Sequence, residues 1–134
     1  LRVILAAAVV WLVALGLGLE ALDTRSTRDG VYSSAQADRG EQTYKTRCGS
    51  CHMSDQFSGF TFMQSWSGQT ADALYDQLRK TMPKDNPGGL KPQEYADVIA
   101  FLFRINRLPA GEADLKGSRP ALKDVVIEAP EKDL

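Results

Sequence analysis

The most constraining feature is the pentapeptide Cys48-Gly49-Ser50-Cys51-His52, which contains both cysteines and the single histidine of the 134-residue chain. Two cysteines cannot staple a disulfide-dense scaffold, and one histidine excludes any site that needs two from one chain. A four-ligand structural zinc site also falls one ligand short unless a carboxylate joins. Together the three residues spell C-x-x-C-H, the attachment signal for c-type haem. Two thiols three residues apart on a helical turn can reach two positions on one porphyrin edge. The adjacent His52 then comes under the iron as proximal ligand.

The two cysteines admit two other uses. A thioredoxin-like pair has an activated first thiol and normally follows a strand, whereas Cys48 follows a helical pattern. A disulfide between residues three apart stabilises little, because the loop it closes is so small. Haem attachment is the better reading.

Because His52 is the only histidine, a six-coordinate iron needs a different sixth ligand. The candidates are Met53, Met63, Met82 and a lysine. Met53 adjoins His52 and cannot reach the opposite face. Met63, in Phe60-Thr61-Phe62-Met63, reads as a core or haem-packing residue. Met82 stands just past a helical stretch and is held by Pro83, which suits a rigid thioether presented to a metal. Met82 is the expected distal ligand.

Residues 3–19 form an uncharged apolar run preceded by Arg2, between the lengths of a signal-peptide core and a transmembrane helix. Residues 1–22 are therefore expected to be a signal peptide or an N-terminal membrane anchor, with the rest of the chain exported. Ala35-Gln36-Ala37 imitates a cleavage site but lies too far from the run, and Ser33 with Gln36 reads as a capping box. Residues 23–30 read as a polar linker, 31–127 as the folded domain and 128–134 as a polar tail.

Within the domain, helices are expected over Ser34 to Arg47, Ala71 to Thr81 and Pro92 to Asn106, from their apolar periodicity and start signals. The apolar face of the last helix is wide enough to require two neighbours. No alternating strand pattern is evident, so the fold class is all-α, with three to five short helices. Its core is thin, and a bound macrocycle would supply the missing apolar mass. A net charge of −1 argues against nucleic acid as a partner.

The chain resembles the class I monohaem cytochromes c, small bacterial periplasmic ones in particular, over about residues 31–127. The resemblance rests on Gly40-x-x-x-Tyr44-x-x-x-Cys48-x-x-Cys51-His52, on Thr81-Met82-Pro83 and on Tyr95-Ala96-Asp97-Val98-Ile99-Ala100-Phe101-Leu102. It implies a cytochrome c fold in which the first and last helices cross at Gly40, with Val98, Phe101 and Tyr44 beside the crossing. It also implies one covalent haem c on Cys48 and Cys51, ligated by His52 and Met82. Trp66 would bond a haem propionate, and Lys45, Arg47, Lys80 and Lys84 would lie around the attachment region. Many relatives carry a proline about ten residues after the histidine, whose carbonyl accepts the imidazole N–H; none stands between His52 and Pro83.

The implied function is single-electron transfer between redox partner proteins (a dehydrogenase, oxidase or reductase) in the periplasm, without substrate chemistry. The rivals are a small-ligand sensor or enzyme subunit with a detachable Met82, and a haem-free thiol oxidoreductase.

Overall fold

A glycine decides how the two longest helices meet. In the computed structural model, which describes residues 24–131, α1 (Ser34–Arg47) and α4 (Pro92–Ile105) cross with Gly40 against Asp97. A Cβ on Gly40 would stand 1.8 Å from the Asp97 carbonyl oxygen, so only a residue without a side chain permits this approach. Tyr44, one turn on, packs its ring against Phe101 with centroids 5.2 Å apart. This is the crossing that the resemblance implies.

The crossing is braced by polar groups. Asp97, buried, accepts from Gln36 (3.0 Å), Gln93 (3.1 Å) and Arg39 (3.3 Å). Gln36 also exchanges two hydrogen bonds with the Leu115 backbone, both 2.7 Å. The expected capping box is thus only half made. The Ser33 hydroxyl accepts from the Gln36 N–H at 3.0 Å, while the Gln36 side chain is engaged in the core instead of reaching back.

Helix α4 is buried from Tyr95 to Phe103 and packs on both α1 and α3 (Ala71–Thr81), as its wide apolar face demands. The helix α3 starts where Thr70 accepts from the Ala73 N–H. Among the described residues there are two further helices, α2 (Gly59–Trp66), outside the three that periodicity predicts, and the single turn α5 (Arg119–Leu122). Among the described residues, five helices with little strand agree with the expected all-α cytochrome c fold.

Two expected boundaries are corrected. Residues 25–30 are not a linker: β1 (Arg25–Ser26) pairs in parallel with β2 (Val125–Val126), and Thr27 is fully buried. The Thr27 hydroxyl donates to the Glu128 carbonyl at 3.1 Å and accepts its N–H at 3.0 Å. Ser26 bonds the Glu128 carboxylate, and Arg28 bonds the Ala129 carbonyl at 2.7 Å, so the start of the tail is docked as well. The physical reason is backbone satisfaction: polar residues 25–28 supply partners to the edge of the strand that buries Val125 and Ile127. Residues 1–22, the expected leader or anchor, lie outside the described residues. Among the described residues no helix is long and apolar enough to cross a membrane.

Candidate haem site

The site begins where α1 ends. Cys48 caps that helix, its N–H bonded to the Tyr44 carbonyl at 2.8 Å. One more turn follows, with the N–H groups of Cys51 and His52 both directed to the Cys48 carbonyl, at 3.1 and 3.0 Å. That turn sets the two cysteines three residues apart on one side, with His52 directly after them. Tyr44 secures it from the helix, its hydroxyl donating to the His52 carbonyl at 3.2 Å.

The imidazole of His52 meets Phe57 edge-on, with centroids 5.3 Å apart and planes at 65°. Phe57 ends the short turn Ser54–Phe57, and its carbonyl accepts from the Asn106 amide at 2.8 Å. Hence the residue against the histidine is tied to the C-terminal end of α4.

Met82 arrives from α3. Its N–H caps that helix on the Leu78 carbonyl at 2.8 Å, and its own carbonyl accepts the Tyr95 hydroxyl at 2.6 Å. The Met82–Pro83 peptide bond is cis, and the loop beyond it turns back with Asn86 N–H on the Pro83 carbonyl at 2.9 Å.

These segments converge on one cavity of about 720 Å³, within the usual size range of ligand sites. Cys48, Cys51, His52 and Met82 all line it, together with Trp66. Its walls are otherwise mainly apolar, supplied by Phe57, Phe62, Leu74, Leu78, Val98 and Leu102. Two thiols, an imidazole and a thioether on an apolar chamber suit a flat hydrophobic macrocycle with iron at its centre. The residues present fit a c-type haem.

The remaining sulfur residues are elsewhere. Met53 is 66% exposed, and Met63 packs against the core from outside this cavity. Of the basic residues expected nearby, Arg47 and Lys84 line the cavity, while Lys45 pairs with Glu41 at 2.6 Å and Lys80 with Asp76 at 2.5 Å. Phe57, Asn106 and the Tyr95 hydroxyl were missed as site residues. Helical spacing marks Tyr95 as core, but no local pattern signals where a hydroxyl will point.

Burial pushes the Cys48 thiol above the ordinary cysteine range, only partly opposed by Arg47. A nucleophilic redox thiol needs the reverse, a pKa lowered by nearby positive charge or a helix N-terminus. Cys48 instead lies at a helix C-terminus, which disfavours a thiolate.

No curated protein and no solved structure matches the chain. One family does: that described as cytochrome c oxidase, cbb3-type, subunit III, over residues 35–102. The match spans half of the 134 residues and includes both cysteines, His52, Met82 and the Gly40 crossing. The chain belongs to this family, whose c-type cytochrome domain carries a c-type haem and serves electron transfer.

Proposed function

We propose that this chain is a periplasmic monohaem electron carrier. Cys48 and Cys51 bind one haem c covalently through thioether links, with His52 as proximal ligand and Met82 as distal ligand. When bound, the haem supplies a one-electron Fe(III)/Fe(II) couple, and Met/His ligation sets it towards higher potential. With His52 and Met82 both holding the iron, small ligands would have no vacant site and no substrate bond would be made or broken.

The observation that carries the reading is that Met82 lines the same apolar cavity as Cys48, Cys51 and His52, although it lies thirty positions beyond the motif. In this reading the walls exclude water, the turn at Cys48 orients His52, and the indole N–H of Trp66 bonds a propionate. Arg47 and Lys84 line the cavity and would favour an acidic partner surface. The family's description names an oxidase subunit, so a redox complex is the partner class to test first. Residues 3–19 would tether the carrier to the membrane or direct its export.

Spectroscopy of the haem-loaded protein tests the ligand set. The ferric protein should show the weak red absorption band of thioether-bound iron, and Met82→Ala should abolish it while the haem stays attached. A wild-type protein without that band, binding CO or cyanide tightly, would support the sensor reading instead.

A further inference from the structure

We propose that Tyr95 is a positioning residue for Met82, clamping the candidate distal ligand from α4; this rests on the ligand reading above. The Tyr95 ring is 2% exposed and stands edge-on to Tyr75 of α3, with centroids 6.0 Å apart at 77°. Its hydroxyl reaches past α3 to the Met82 carbonyl at 2.6 Å. The other donor to that carbonyl is the Gly88 N–H, at a long 3.4 Å. Met82 is therefore gripped from two directions, by its N–H on α3 and by its carbonyl on α4.

This placement matters because only the buried Pro83 separates Met82 from an exposed loop. Residues 84–89 are all solvent-exposed, and a ligand at such a junction would otherwise follow the loop's motion. The Tyr95 hydroxyl links the backbone of Met82 to the most buried helix of the fold, three residues after that helix begins. Opening the Met82 segment then requires breaking a part-buried hydrogen bond and leaving its carbonyl without its short partner. That cost lowers the population in which the thioether is off the iron. The clamp acts on the bound state of Met82 and leaves the identity of the ligand unchanged.

The test compares imidazole binding by ferric, haem-loaded wild type, Tyr95→Phe, Tyr32→Phe and Met82→Ala, followed through loss of the red band or, where that band is missing, the Soret shift. Tyr95→Phe keeps the ring and removes only the hydroxyl. Tyr32→Phe removes another tyrosine-to-carbonyl bond, more deeply buried, its hydroxyl on the Leu108 carbonyl at 2.7 Å, from a residue that does not line the cavity. Without imidazole, Tyr95→Phe should retain the band; its apparent affinity for imidazole should rise roughly fivefold to tenfold. Tyr32→Phe should bind imidazole as wild type does, whatever its thermal stability. An unchanged affinity in Tyr95→Phe, a rise no larger than that of Tyr32→Phe, or a Tyr95→Phe chain that takes up no haem would overturn the clamp. A Met82→Ala protein that keeps the wild-type band would instead overturn the ligand reading, and the clamp with it.

Discussion

Asn106 donates its side-chain amide to the Phe57 carbonyl at 2.8 Å, so the end of α4 holds the residue whose ring stands against His52. The same amide group donates to Leu102 and its carbonyl oxygen accepts the Gly59 N–H, both at 2.8 Å. Asn106→Ala should cost about 2–4 kcal/mol, because it strands a backbone donor and acceptor where Asn106 is 5% exposed. Asn106→Asp should cost at least as much, since a carboxylate can accept from Gly59 but faces two carbonyls. Urea unfolding of the haem-loaded protein reads both; a loss under about 0.5 kcal/mol for either would contradict this account.

Gly40→Ala is the second case. The added methyl would meet the Asp97 carbonyl carbon at 2.4 Å as well as its oxygen at 1.8 Å, and backbone atoms cannot swing aside as a flexible side chain could. Separating the helices would also pull Asp97 from Gln36 and Arg39. A loss of about 3 kcal/mol or more is expected, seen as a lower thermal midpoint or poor recovery of haem-loaded protein. A variant as stable as wild type would remove the crossing from its central place in the fold.

Asp114 gives a pH prediction. The Ser33 hydroxyl above all holds its carboxyl below the usual carboxylate range; burial opposes this, and the Arg39 guanidinium adds to the lowering. A carboxylate whose folded pKa is lowered stabilises the fold above its unfolded value, about 3.9, and loses that contribution as pH falls through the folded value. Asp114→Asn should therefore be less stable than wild type at neutral pH, and the two should converge in acid. The side chain is 44% exposed, so solvent screening limits the gap to about 0.5 kcal/mol. A gap that widens as pH falls below 4 would contradict the assignment.

Much of the fold could be read from the chain because its signals are local. Ser33 and Thr70 cap α1 and α3, Pro92 starts α4, and apolar periodicity fills each helix, so those three elements fall within a residue of expectation. Helix α2 has no such signal: its cap residue, Ser58, turns its hydroxyl to the Asp55 carbonyl at 3.0 Å instead of capping the helix, and its Phe-Thr-Phe-Met core gives no clear polar face. The pairing of β1 with β2 joins residues a hundred positions apart through two residues each, too short for any alternation to show. At the site, the C-x-x-C-H spacing points to the cysteines and His52, and Pro83 points to Met82, four residues that the fold brings to one cavity. The supporting contacts of Tyr95 and Asn106 are long-range and depend on where a hydroxyl and an amide point, which spacing does not encode.

In the proposed function this cavity holds a haem bonded to the chain itself. Denaturing gel electrophoresis followed by haem staining, run on wild type and on a Cys48→Ala/Cys51→Ala double variant, tests it most directly. The account predicts stain migrating with the wild-type chain and none with the variant. A wild-type chain that runs unstained after expression with an active haem-attachment system would contradict it.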